Sequence, residues 1–260
     1  MVDLLRSHGR DVVGAHIFEV GTGHMVDVPI ALWLCGAAST TTIDLNPYLS
    51  PELVVHHVRY LREHRAKIVA LFGEDGQSAL FSERFRQLTE PDLGFTAIAE
   101  LIGLRYLAPA DATHVATAAN MFDYHISFTV LEHIPADTIG AILQEGKRIL
   151  KDTGLFVHII DLSDHFSHGD KRISSVNFLR FDPQAWDWWA GNRYMYQNRL
   201  RAAQYRHIFA AAGLNIVTWN AKVDSRSLHV LQHGFPLAHP FIENTHQENA
   251  TVTVQVVAAP

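Results

Sequence analysis

Two acids and two glycines near the start of the chain are the residues whose order most clearly indicates chemistry. Glu19 precedes Gly21 and Gly23, and Asp44 ends the next β-branched segment. Glycines let the backbone pass close to a ligand, and a helix N-terminus after them offers unpaired N–H groups. A carboxylate at the end of the following strand can accept hydrogen bonds from two ribose hydroxyls. This order predicts a cofactor that contains adenosine.

The residues around the glycines narrow the choice of cofactor. A dinucleotide fingerprint needs a third glycine where this chain has Val26. An acid at position 19 would repel a pyrophosphate, but it could hold an ammonium group directly or through water. We therefore expect S-adenosylmethionine. A nucleotide-dependent oxidoreductase or epimerase of the Rossmann type remains an alternative, and so does a cofactor-binding domain without activity.

The elements that must position these residues alternate between strands and helices. The pattern predicts strands at 16–20, 40–45, 104–107, 124–128, 155–160, 214–219 and 251–257. It predicts helices at 26–35, 51–65, 95–103, 136–150 and 199–212, a turn at 151–154 and a helix-containing insertion at 67–94. Strand–turn–helix–strand units of this kind indicate an α/β fold with a mostly parallel sheet.

Five segments, in this order along the chain, resemble the motifs of class I S-adenosylmethionine-dependent methyltransferases of the ubiquinone-biosynthesis-like, or type 11, branch. The segments are 18–23, 42–46, 110–113, 127–135 and 150–155. The resemblance covers residues 16 to 160, with a looser similarity in the last two strands. It implies a Rossmann-like fold whose seven-stranded sheet is mostly parallel, has helices on both faces and ends in an antiparallel strand.

The resemblance also implies a set of cofactor-binding residues. These are Glu19, Gly21, Thr22, Gly23, Asp44, Leu45, Asp111, Ala112 and Thr129. In the family, an acid at the position of Asp111 accepts a hydrogen bond from the adenine amino group. The alternative for Asp111 is a solvated loop aspartate.

Histidines that follow the fourth and fifth predicted strands are the candidates for proton transfer. His133 and His165 are the predicted catalytic bases, because an imidazole has a suitable pKa for taking a proton from a hydroxyl. Asp161 and His168 are predicted to contact the substrate. The alternatives are a structural histidine that ties two loops together and a plain solvated loop. The acid–amide pair of metal-dependent O-methyltransferases is absent here, so we expect no metal requirement.

The segment after the fifth predicted strand is rich in basic and aromatic residues. Between residues 171 and 206 there are seven Lys or Arg and two Asp, in a chain of net charge −6. We expect a substrate-binding insertion at 161–206, in which Arg193 and Arg199 hold a small acceptor that is anionic or contains a sugar. The alternatives are a packing role for these arginines, or a dimer contact.

Composition limits the remaining classes of function. The net charge of −6 disfavours a nucleic-acid partner. Cys35 is the single cysteine and cannot form an intrachain disulfide. Neither a signal-peptide pattern nor a membrane-spanning apolar stretch is visible. We expect a cytoplasmic protein that consists of one domain, residues 1–260, and acts on a small molecule. The sequence is also compatible with a homodimer.

Overall fold

The computed structural model describes residues 1–192 and 196–260. Its strands are β1 (His16–Val20), β2 (Ser39–Ile43), β3 (Leu104–Leu107), β4 (Phe122–Phe128), β5 (Leu150–Asp161), β6 (Asn215–Val223) and β7 (Thr251–Ala259). Its α-helices are α1 (Val2–Arg6), α2 (Asp27–Leu34), α3 (Pro51–Glu63), α4 (Arg65–Leu71), α5 (Gly73–Gly76), α6 (Ala79–Thr89), α7 (Phe95–Leu101), α8 (Ala136–Ile149), α9 (Phe166–Gly169), α10 (Pro183–Ala190), α11 (Ala202–Ala211), α12 (Ser225–Gln232) and α13 (His246–Asn249).

The strands form one seven-stranded sheet in the order β3-β2-β1-β4-β5-β7-β6. β1 pairs in parallel with β2 and β4, and β2 pairs in parallel with β3. β7 runs antiparallel to both β5 and β6. This arrangement confirms the predicted Rossmann-like class I methyltransferase fold.

The chain divides into two compact units. The first unit comprises Met1–Ile126 and Glu145–Leu155, and the second comprises Ser127–Gln144 and Phe156–Pro260. No helix among the described residues is long and apolar enough to cross a membrane.

Packing among helices builds a large apolar cluster in the first unit. Local signals start α3 as predicted, because Ser50 accepts a hydrogen bond from the Leu53 N–H at 3.4 Å and Pro51 occupies the first turn. Phe81, Phe85 and Leu88 of α6 are buried in the same cluster as residues of α2, α3 and α7. The predicted insertion at 67–94 is helical over most of its length, in α4, α5 and α6.

The side chain of Arg201 links three segments of the second unit through hydrogen bonds. Arg201 is fully buried and donates hydrogen bonds to the carbonyl oxygens of Leu162 at 2.9 Å, Asn249 at 3.3 Å and Thr251. α11 begins immediately after Arg201 and ends just before Gly213, whose φ of 73° fits the left-handed end of a helix. The side chain therefore connects the end of β5, the start of β7 and the start of α11.

Among the boundaries that differ from the sequence-based expectation, two have a clear local cause. The helix predicted at 199–212 begins only at Ala202, because Arg199 has a φ of 56°, which a right-handed helix cannot contain. The turn predicted at 151–154 lies inside β5, which already begins at Leu150. Its exposed polar residues suggested a turn, but such residues also occupy the outward positions of a strand.

Candidate functional site

The glycine loop after β1 lies beside the end of β2. Gly21 and Gly23 have φ angles of 81° and 68°, a backbone region that L side chains rarely adopt. The Gly21 N–H donates to the Ile43 carbonyl oxygen at 2.9 Å. Because Val20 and Ile43 are in register on parallel strands, the loop and Asp44 share one edge of the sheet. The predicted glycine turn is thus next to the predicted ribose acid.

Asp44 is held by the glycine loop through one carboxylate oxygen. Its Oδ1 accepts a hydrogen bond from the Thr22 N–H at 3.1 Å. Its Oδ2 is buried and has no hydrogen-bond partner among the residues that the structure describes. Burial raises the pKa of Asp44 to about 6, although hydrogen bonds from its neighbours oppose the change. A buried acceptor without a donor is suited to a ligand hydroxyl.

Glu19 lies on β1, just before the glycine turn, and is a second buried carboxyl group. It is 2% exposed, and its Oε2 lacks a hydrogen-bond partner within residues 1–192 and 196–260. Burial raises its pKa to about 8, the Thr42 hydroxyl opposes this, and the charge of Asp44 adds to it. A ligand cation would offset this cost, as expected for the ammonium of S-adenosylmethionine.

The loop after β3 also reaches Asp44. The Ala110 N–H donates to the Asp44 carbonyl oxygen at 2.9 Å. Asp111 and Ala112 are the next two residues of the chain. The Asp111 side chain is exposed, and its Oδ1 accepts hydrogen bonds from the N–H and hydroxyl of Thr113, both at 2.8 Å. These two hydrogen bonds both use Oδ1 of Asp111, and its contact with adenine stays a prediction.

Two further predicted cofactor residues have distinct environments. Leu45 is 71% exposed, which is unusual for a leucine beside a buried acid and is compatible with an apolar ligand surface. Thr129 belongs to the second unit, where its φ is 52° and its N–H donates to the Ile159 carbonyl oxygen at 2.8 Å.

A buried glutamate and a histidine follow β4 in the second unit. They lie on a short 3₁₀ helix, Leu131–His133. Burial raises the pKa of Glu132 to about 8, and it lowers the pKa of His133. The Nδ1 of His133 is 2.8 Å from the Tyr196 carbonyl oxygen, so this nitrogen is the N–H donor. The Nε2 of His133 then carries the lone pair.

The histidines after β5 surround Asp161. Its Oδ2 lies 3.6 Å from the Nε2 of both His165 and His168, and its Oδ1 accepts from the Ser163 N–H at 2.8 Å. The ring centroids of His133 and His165 are 4.9 Å apart, and those of His165 and His168 are 5.1 Å apart. The structure therefore brings together four residues that the sequence proposed separately.

Glu132 is the member of this histidine cluster that the sequence-based site did not include. One carboxylate oxygen of Glu132 and one ring nitrogen each of His133 and His165 lie within 4.8 Å of one another. Its position directly before His133 was the available signal, but nothing in the sequence shows that its side chain is buried.

Arg199, predicted to bind the acceptor, points into the protein. It is 7% exposed, and its Nη1 donates to the carbonyl oxygens of Phe178 at 2.9 Å and Phe181 at 2.7 Å. Its guanidinium lies 5.1 Å from the ring centroids of both Trp186 and Phe241. These contacts favour the alternative in which the arginines hold the 161–206 segment together.

Other basic residues of this segment have partners of their own. Arg172 pairs with Asp170 at 2.8 Å, and Lys171 donates to the Ser167 carbonyl oxygen at 3.3 Å. Arg193, the second predicted anion-binding residue, lies outside the described residues.

Comparison with known proteins agrees with this geometry. A family model described as a methyltransferase domain matches residues 57–158. The solved structures that resemble the chain include three methyltransferases. An S-adenosylmethionine-dependent methyltransferase from Mesorhizobium loti is 14% identical, with a TM-score of 0.51 over 99% of this chain and 96% of that one. One from Methanosarcina mazei is 13% identical, with a TM-score of 0.51 over 98% and 96%.

The third is geranyl diphosphate C-methyltransferase from Streptomyces coelicolor A3(2), solved with Mg²⁺, geranyl diphosphate and S-adenosyl-L-homocysteine. It is 14% identical, with a TM-score of 0.53 over 99% of this chain and 78% of that one. At these identities the likeness shows the fold. No curated protein matches the sequence.

Proposed function

We propose that this chain is a class I S-adenosylmethionine-dependent methyltransferase and that it methylates an oxygen or nitrogen atom of a small acceptor. The observation that carries the proposal is the pair of unpartnered, buried carboxylate oxygens at the ends of β1 and β2. The cofactor supplies the activated methyl group. The chain has to bind and orient both molecules, exclude water and take up the proton of the acceptor.

Asp44 and Glu19 are the proposed anchors for the cofactor. The free Oδ2 of Asp44 would accept from the ribose hydroxyls, while the Thr22 N–H keeps the carboxylate oriented through Oδ1. Glu19 would face the ammonium group, directly or through water. Gly21 and Gly23 adopt positive φ angles and carry no side chains, so the ligand can approach the loop backbone closely.

His133 and His165 are the proposed proton acceptors. Burial lowers the pKa of His133, which favours its neutral imidazole, and its hydrogen bond to the Tyr196 carbonyl oxygen leaves Nε2 to accept a proton. His165 lies beside Asp161, with its Nε2 3.6 Å from the Oδ2 of that acid. Asp161 and His168 are proposed to contact the acceptor.

The proposal of an anionic or sugar-containing acceptor depends on Arg193. The guanidinium of Arg199 is used by backbone carbonyls, so its loss should lower stability rather than acceptor affinity. Kinetics of Arg193→Ala and Arg199→Ala would separate the roles. A higher acceptor KM for Arg193→Ala, strongest at low salt, would support an anion site. An unchanged KM would argue against it.

Calorimetry on the cofactor-free protein tests the cofactor site. Asp44→Ala should weaken S-adenosylhomocysteine binding by about 2–4 kcal/mol, because charge-assisted hydrogen bonds to the ribose are lost. Gly21→Val should abolish binding, because valine cannot adopt the φ of 81°. Asp152→Ala, which removes an exposed acid from β5, is the control. Equal affinity of wild type and Asp44→Ala would overturn the assignment, and tight binding of NAD instead would favour an oxidoreductase.

A further inference from the structure

Three side chains of the second unit form a compact group of potential metal ligands. One ligand atom from each of Glu132, His133 and His165 lies within 4.8 Å of the others. Glu132 is 1% exposed, and neither of its carboxylate oxygens has a hydrogen-bond partner in the described part of the chain. The Nε2 of His165 is also buried without a hydrogen-bond partner there. The nearest acid to that nitrogen is Asp161 at 3.6 Å, so Glu132 is the side chain that points inward with no partner at all among the described residues, and it indicates a missing ligand.

The interactions around this group are those that usually orient metal ligands in proteins. Histidines that bind metals generally donate their second ring N–H to a carbonyl or carboxylate oxygen. His133 does this through Nδ1 to the Tyr196 carbonyl oxygen at 2.8 Å, which directs the lone pair of Nε2 away from that contact. Asp161, 3.6 Å from the Nε2 of His165, adds negative charge beside the group.

We propose that Glu132, His133 and His165 bind a divalent transition-metal ion. One carboxylate and two imidazoles suit Zn²⁺, Mn²⁺, Fe²⁺ or Co²⁺ better than Mg²⁺ or Ca²⁺, which prefer oxygen ligands alone. Three protein ligands leave at least one coordination position open for water or for an acceptor oxygen.

This set of ligands differs from the one that the sequence led us to dismiss. The expectation of no metal rested on the acids of residues 161–170, whereas the group takes two ligands from the segment after β4 and one from the loop after β5. A bound cation would also change the roles of the two histidines. It would occupy their lone pairs and so replace the proton-acceptor role proposed for them. An acceptor hydroxyl bound to the ion would have a lowered pKa and would release its proton to solvent water.

Cobalt binding by the wild-type protein is the first test. The protein is treated with a chelator, dialysed and titrated with Co²⁺, and binding is followed by visible absorption and by calorimetry. We expect one Co²⁺ per chain, displaced by Zn²⁺, with Mg²⁺ binding much more weakly. Absence of stoichiometric Co²⁺ and Zn²⁺ binding by the folded wild-type protein would overturn the proposal, whatever the result for S-adenosylhomocysteine.

Substitutions then test the ligand set. Glu132→Gln and His165→Ala should each weaken Co²⁺ binding by about 100-fold or more. His168→Ala is the matched control, because this imidazole lies at the same 3.6 Å distance from Asp161 but is not in the group. Far-UV circular dichroism and the melting temperature of each variant show that it is folded. Affinities for Co²⁺ that match wild type in both ligand variants would overturn the assignment.

Discussion

Replacing Glu19 with glutamine should remove a large part of the pH dependence of stability in the cofactor-free protein. Burial raises the pKa of this carboxyl group from 4.5 to about 8 in the folded chain. The folded state therefore binds the proton more tightly than the unfolded state does. The stabilising contribution is complete below about pH 4.5 and is lost as the pH rises towards 8.

The size of the effect follows from the two pKa values. Between pH 4.5 and pH 7 the folded protein should lose at most about 3 kcal/mol through Glu19, since each pH unit in this interval costs about 1.4 kcal/mol. Asp44 and Glu132, with raised pKa values of about 6 and about 8, act in the same direction. The wild-type protein should thus be most stable in mildly acidic solution, and Glu19→Gln should have a shallower dependence.

Urea denaturation at several pH values between about 5 and 8 measures this slope. Glu100→Gln, on an exposed position of α7, is the control and should follow the wild type. Cofactor binding offers a second readout. At pH 7 a carboxyl group of pKa about 8 holds about 0.9 proton, and an ammonium beside Glu19 should release most of it. Calorimetry in buffers of different ionisation enthalpy counts that proton.

Two results would refute this reasoning. A Glu19→Gln variant with the same pH dependence as the wild type would mean that Glu19 is not protonated in the folded protein. Cofactor binding without proton release in the wild type would mean that the ammonium does not lie beside this carboxyl group.

Three further outcomes are expected. Arg201→Met should lower the free energy of unfolding by about 3 kcal/mol, measured in urea, because three buried carbonyls lose their donor; a change below about 1 kcal/mol would contradict this role. Burial raises the pKa of Cys35 to about 12, so Ellman's reagent should modify it only after unfolding, and rapid labelling of the native protein would show that it is accessible. Gly103→Ala should reduce the melting temperature strongly, because the new Cβ would lie 2.7 Å from the Ala38 carbonyl oxygen at a φ of 63°; an unchanged melting temperature would show that the backbone can shift.

Most of the sheet could be predicted from the sequence because its signals are local. β1, β2 and the start of α3 carry β-branched runs, a glycine turn and a Ser–Pro cap within a few residues. The position of Asp44 beside the glycine loop followed from the parallel order of the strands. Short helices such as α10 and α12 were missed, since each has only 8 residues and its apolar side chains pack against distant parts of the second unit.

The candidate site was less predictable where it depends on tertiary contacts. The sequence placed Arg199 in a basic segment, but its burial between two aromatic rings and its carbonyl partners come from the folding of that segment. Glu132 and His165 lie far apart in the sequence, so their proximity is visible only in the folded chain. Charge counts predict the composition of a segment, but not the direction in which each side chain points.

The hydrogen bonds of Arg201 have a consequence for how the second unit opens. Its partners are separated from it by 39 to 50 positions in sequence, and one guanidinium donates to all three carbonyls. If α11 moved away from this site, the three carbonyls would lose this donor together, so opening one of these segments alone would save little free energy over opening all of them. Amide hydrogens at the end of β5, the start of β7 and the first turns of α11 should therefore exchange with solvent as one cooperative group.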